Sequence, residues 1–223
     1  MRLTKHLIWL ALLAAAPTIA SAAGDRFSYT YVEGGWHQER RGSDSLNPFD
    51  TDGGYLRGSY GFGTAFNVFG GYAKGEDDQT WRLSVGTLTD RDEETTAEIG
   101  VGYHLTATEH LDFSAQVAYS HIEQDIEFSV QVQPRSSYRS WSAEGGRVAV
   151  GLRGGNQRIE GWVKLGYFDG SRLTPYVLGT DSNDGMQGAV GGQLKFNSTW
   201  GLVGEIEATE GVERYAFGVR ASF

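Results

Sequence analysis

The stretch Tyr215-Ala216-Phe217-Gly218-Val219-Arg220-Ala221-Ser222-Phe223 decides the fold. Large apolar residues alternate with small or polar ones at a period of two. That is the signature of a strand with one apolar and one polar face. The same period recurs upstream. Ala97, Ile99, Val101, Tyr103 and Leu105 alternate with Glu98, Gly100, Gly102 and His104. Leu111, Phe113, Ala115, Val117 and Tyr119 alternate with Asp112, Ser114, Gln116, Ala118 and Ser120.

Working outward, the pattern predicts ten strands at 27–37, 52–62, 65–74, 95–105, 110–122, 142–153, 158–169, 184–196, 201–210 and 214–223. Each is near the ~9–11 residues with which a tilted strand crosses a bilayer. Alternate connections are short: Gly63-Thr64, Thr106 to Glu109, Gly154 to Gln157 and Asn197 to Trp200. The others, 38–51, 75–94, 123–141 and 170–183, are long and charged; only 211–213 breaks the rule. Short turns at one end and long loops at the other are the layout of an up-and-down transmembrane β-barrel, with periplasmic turns and extracellular loops. The expected fold class is therefore all-β, an antiparallel barrel of about ten strands.

Composition agrees. The chain has 223 residues, 32 glycines, 4 prolines, no cysteine, 13% aromatic residues and a net charge of −9. The aromatic content excludes a disordered acidic chain. The absent cysteine excludes disulfide staples and thiol catalysis, and the net acidity argues against a nucleic-acid partner. Residues 1–23 read as a secretory signal peptide: Arg2, Lys5 and His6, an apolar run from Leu7 to Ala16, then Ala20-Ser21-Ala22 as an A-x-A cleavage site. The barrel is expected over 24–223, in the outer membrane of a Gram-negative bacterium. The last strand, through Tyr215, Phe217, Val219 and the terminal Phe223, looks like a recognition signal for the barrel-assembly machinery.

Parity assigns the faces. Turning the apolar register toward lipid sends Glu33, Arg57, Glu98, Arg147, Arg153, Glu160, Lys164, Lys195, Glu205, Glu207 and Arg220 into the lumen. An Arg or Lys facing mid-bilayer costs about 2–4 kcal/mol, which forces this choice. Six of these groups are basic and five acidic. In so narrow a barrel they are expected to pair into a plug, with Glu33 facing Arg57 or Arg220, and Glu205 and Glu207 facing Lys195 or Arg220. The alternative is a narrow passive porin-like channel, and a less favoured one an outer-membrane hydrolase. Trp36, Phe62, Tyr103, Tyr119, Tyr167, Phe196 and Phe223 fall near strand ends, where interfacial girdles sit.

Several stretches resemble a group of small outer-membrane proteins common in xanthomonads and often labelled as quorum-sensing or immunity-eliciting factors. They are Phe27-Ser28-Tyr29-Thr30-Tyr31-Val32-Glu33-Gly34-Gly35-Trp36, Leu56-Arg57-Gly58-Ser59, Val68-Phe69-Gly70-Gly71-Tyr72, Trp81-Arg82-Leu83, Glu160-Gly161-Trp162, Lys195-Phe196-Asn197 and Trp200-Gly201-Leu202. The resemblance spans the mature chain and implies fold and location, not chemistry. The chain departs from it by an acidic insert, Asp90-Arg91-Asp92-Glu93-Glu94.

No catalytic, cofactor or metal site is expected. The sequence has no Asp-x-His pair, and Ser120 and His121, as strand neighbours, point to opposite faces. The run 90–94 reads as a solvated charge run in a loop, without the spacing of a calcium loop. Outer-membrane lipid is an expected partner. Arg40, Arg41, Arg135, Arg139 and Arg172 are candidates for lipopolysaccharide phosphates. Nothing in the sequence names a surface ligand.

Overall fold

The computed structural model describes residues 27–41, 49–83, 86–130, 135–172, 185–209 and 212–223. The leader expected over 1–23 lies outside the described residues.

Ten antiparallel strands close into one barrel in up-and-down order, with β1 hydrogen-bonded to β10. They are β1 (Tyr31–Arg41), β2 (Phe49–Phe62), β3 (Phe66–Leu83), β4 (Gly86–Thr108), β5 (Leu111–Val130), β6 (Arg135–Gly155), β7 (Ile159–Arg172), β8 (Gly185–Lys195), β9 (Trp200–Thr209) and β10 (Val212–Ser222). Closure removes every sheet edge along the paired part of the wall.

The short turns form where local chemistry bends the chain. Gly63 takes a φ of 64°, which favours glycine. The Asn156 side chain accepts hydrogen bonds from the backbone N–H of Arg158 (2.9 Å) and Ile159 (3.0 Å). Asn197 repeats the motif with Thr199 (2.9 Å) and Trp200 (2.8 Å).

Two expectations about the other end are corrected. The segments 75–94 and 123–141 are mostly strand. β3 pairs with β4 up to Leu83↔Gly86, and β5 with β6 up to Val130↔Arg135. Their described pairing with β2 and β7 stops at Asp52↔Glu76 and Ala143↔Arg172. A four-stranded wall, β3–β6, therefore rises above the barrel. Its residues are polar on the outward face, so the alternation that marks a half-apolar strand fades while cross-strand pairing continues. The acidic run Asp90–Glu94 lies inside β4. Asp92 and Glu94 are buried on its inner face, and Asp92 accepts hydrogen bonds from Gln124 (2.9 and 3.1 Å). A loop of solvated charge is thus replaced by a partly buried strand. The first strand also begins later than expected: Phe27–Thr30 leave the wall before Tyr31.

Burial is inverted relative to a water-soluble domain. Apolar residues cover the outside: Ile99 is 61% exposed, Val150 63% and Leu165 58%. The largest fully buried side chains are Glu33, Glu160, Thr51 and Asp92. A segment such as Ala97–Leu105 in β4, tilted by about 40°, spans roughly 20–25 Å, the height of an outer-membrane apolar band. Aromatic rings flank this belt. Phe62, Phe66 and Tyr103 cluster at the turn end, with centroids 5.9 and 5.2 Å apart. Trp36, Tyr119 and Tyr167 stand exposed toward the other end.

Candidate functional site: the charged lumen

The registers put all eleven parity-selected charges on the interior side. Glu33 sits opposite Arg220 on β10 and Arg57 on β2. Arg57 aligns through Gly71 with Glu98, and Glu98 with Ser120. Glu160 aligns with Gln193, and Gln193 with Val203, two residues before Glu205. The same registers add Glu39 and Arg214, which are neighbours across the β1–β10 seam, and Asp112 on β5. These are seven carboxylates and seven cations, besides the inward-facing Asp92 and Glu94 higher on β4.

These charges form three tiers. At the turn end, Arg153 Nε and Nη2 bond Glu160 (3.1 and 2.5 Å), and Lys195 contacts the other Glu160 oxygen. At mid-height, Arg220 holds Glu33 through Nε (2.8 Å) and Nη2 (2.5 Å), while the Tyr55 hydroxyl donates to Glu33 (2.7 Å). Arg57 reaches across the lumen to Glu205 (2.6 Å), which also accepts from the Trp162 indole (2.7 Å) and lies 3.7 Å from Lys164. In the upper tier, Arg214 bridges Glu39 (2.5 Å) and Glu207 (3.2 Å), and Arg147 joins Glu98 (2.6 Å) and Glu207 (3.7 Å).

One suggested pair is present, Glu33 with Arg220; the other partners differ from those parity suggests. Arg57 is 4.0 Å from Glu33 but 2.6 Å from Glu205, because Arg220 occupies one Glu33 oxygen and the Tyr55 hydroxyl the other. Lys195 goes to Glu160, leaving Glu205 to Arg57 and Lys164. Adjacent-strand reasoning misses such pairs because a long guanidinium spans a narrow lumen. It also misses Glu39, which lies past the predicted end of the first strand. Arg214 and Asp112 carried a usable signal, since each keeps the inward parity of its strand.

Phe27–Thr30 cross the turn-side mouth. Tyr29 stacks on His104 (3.7 Å between centroids), and its hydroxyl donates to Asp112 (3.0 Å). The Ser28 carbonyl accepts from Arg153 (2.9 Å), so this segment runs from β1 to the opposite strands β4–β6. Its base is tied to the chain end: the Ser28 hydroxyl donates to the Phe223 carbonyl (2.6 Å), and Phe223 N–H to the Thr30 carbonyl (2.9 Å). Of the remaining last-strand residues singled out in sequence, Phe217 and Val219 are exposed in the outer belt, and the Tyr215 hydroxyl donates to Glu213 (2.8 Å).

Above the crossing segment lies a cavity of about 190 Å³, lined from Tyr29 at one end to Arg214 at the other. Among the described residues, no group of three or more His, Cys, Asp or Glu side chains is arranged to hold a metal ion. Ser120 points inward to Glu98 (3.2 Å), whereas His121 faces outward, 3.9 Å from Glu144.

No family model matches the chain, and no curated protein sequence matches it. Solved barrels do. The translocator domain of the autotransporter NalP from Neisseria meningitidis is 8% identical, covers 99% of this chain and 98% of its own, and gives a TM-score of 0.53. Ail, the attachment invasion locus protein of Yersinia pestis, is 14% identical over 89% of this chain and 100% of its own, at a TM-score of 0.46. The NanC porin is 13% identical over 87% and 100%, also at 0.46. At 8% identity the likeness to the NalP translocator domain is one of fold alone.

Proposed function

We propose that the chain is an integral outer-membrane barrel of a Gram-negative bacterium, with a structural and surface-interaction role and a lumen filled by paired charges. One observation carries this reading: six glutamates and seven basic side chains meet in ion pairs across the lumen. A channel that selects by charge needs a lumen dominated by one sign. Here the fields cancel, and the paired side chains occupy the space through which a solute would pass. The apolar belt supports insertion, and the β3–β6 wall supplies the surface offered to partners. The reading includes export directed by residues 1–23, assembly through the last strand and Phe223, and contact with lipid and lipopolysaccharide. It includes no catalysis.

A narrow porin-like passage is the second reading, favoured by the cavity that runs from Tyr29 to Arg214. Liposome swelling separates the two. Vesicles carrying the folded barrel should swell no faster than empty ones in isotonic glycine or arabinose. Swelling that scales with the amount of folded barrel would replace the first reading by the second.

A further inference from the structure

The paired charges are nearly balanced in number but not in exposure. In the pairs made by Arg57, Lys164 and Arg214 the cation holds the more accessible position and the carboxylate the more buried one, whereas Arg147 (12%) is less exposed than its partners Glu98 (24%) and Glu207 (14%). The Arg57 side chain is 35% exposed, against 2% for Glu33 and 9% for Glu205. Lys164 is 28% exposed beside the same Glu205. Arg214 is 31% exposed, against 4% for Glu39 and 14% for Glu207. The cause is geometric. Glutamates are short and stay against the wall, where hydroxyls and indole N–H groups solvate them. Arginine and lysine are longer and carry their charge toward the axis. The cavity surface records the result: six Arg or Lys side chains line it but only four glutamates, because Glu33 and Glu160 lie behind their partners.

One further feature favours an anion: Arg147, which lines the cavity, has its Nε–H without a hydrogen-bond partner. At the turn end the Tyr29 crossing segment lies across the floor. We propose that the lumen is a blind, anion-accepting chamber, taking a small carboxylate- or phosphate-bearing solute onto the exposed edges of Arg57, Lys164 and Arg214 from the side of the long hairpins. This rests on the paired-charge reading of the lumen and adds that the pairing leaves a positive accessible face.

The absence of native cysteine permits a direct test. Ala73→Cys places one thiol on the cavity lining at a residue that itself makes no ion pair. Its reaction with an anionic and a cationic methanethiosulfonate reagent is timed in the refolded barrel, and the ratio is normalised to a free thiol. A positive excess equivalent to one charge at about 6 Å, partly screened, gives about a threefold preference for the anionic reagent. Lys164→Gln in that background should reduce the preference, and Arg57→Lys should keep it. Inorganic phosphate should slow the anionic reagent in the parent and not in the Gln variant. Equal or faster reaction of the cationic reagent would overturn the proposal, as would a thiol that neither reagent reaches. The latter leaves the closed lumen intact. Swelling of vesicles with the anionic preference retained would instead remove the closure and keep the anion face, so the two failures are distinct.

Discussion

Glu205 is the residue on which the lumen network depends most, and its loss has a calculable consequence. Its carboxylate bonds Arg57 at 2.6 Å and the Trp162 indole at 2.7 Å, with Lys164 at 3.7 Å. Glu205→Ala leaves two cations and an indole N–H without their acceptor. Breaking a buried pair by removing one partner costs about 3–5 kcal/mol. Arg57 and Lys164 are about a third exposed, so water recovers part of this, and Arg57 keeps Glu33 at 4.0 Å. The expected loss is then about 2–3 kcal/mol. With a urea slope of about 1–3 kcal/mol/M, the unfolding midpoint of the refolded barrel in vesicles should fall by about 0.7–3 M. Tryptophan fluorescence follows the transition. Arg57→Ala combined with Glu205→Ala should cost less than the sum of the two single changes, since the pair interacts directly. A midpoint unmoved by Glu205→Ala, or strict additivity in the double variant, would show that water already solvates these groups and would refute the reasoning.

Topology is checked by single cysteines: Ser137→Cys on the β6 extension should react with an impermeant maleimide in intact cells, and Asn156→Cys in a short turn should not. The β1–β10 seam has no room at Gly35, where an added Cβ would lie 2.1 Å from the Phe217 carbonyl oxygen, whereas at Gly58 the nearest atom is 3.7 Å away. Gly35→Ala should therefore cost about 1–3 kcal/mol or more and weaken the heat-dependent gel shift of the closed barrel, while Gly58→Ala should leave it unchanged. The wall responds to pH through two carboxyls of opposite behaviour. The hydrogen bond from Arg91 holds Glu76 below the ordinary carboxylate range, so its support is present above the unfolded pKa and is lost as pH falls through the lowered value. Burial, with Asp77 nearby, pushes Asp90 up, so its ionisation works against the hairpin at neutral pH, and that penalty disappears on acidification. Asp90→Asn should slow amide exchange at the β3–β4 tip at pH 7 and leave it unchanged near pH 3; slowing at both would contradict the assignment.

The sequence carried the fold because membrane insertion enforces parity at every position of the belt. Glu33, Arg57, Lys164 and Arg220 could be assigned inward with no knowledge of neighbours, since the alternative puts each charge in lipid. That constraint ends above the belt. From Gly75 to Gln79 and from Thr89 to Glu94 both faces are polar, so the strand period carries no apolar signal, and cross-strand pairing was not visible. Partner identity was also beyond reach. Whether Arg57 goes to Glu33 or Glu205 depends on Arg220 having taken Glu33, a competition between strands β2, β9 and β10. The crossing of Phe27–Thr30 was hidden because Phe27 and Tyr29 keep the alternation of the strand that follows. Their departure from the wall is held by His104, Asp112 and Arg153, contacts that no local pattern encodes.

The central claim is that the paired side chains close the lumen to through-flow. Planar-bilayer recording of the refolded barrel, with insertion verified by the heat-dependent gel shift of the same preparation, tests it most directly. The account predicts a flat baseline in concentrated potassium chloride for the parent chain. Discrete current steps from the parent, reproducible and proportional to the amount of folded barrel, would contradict it.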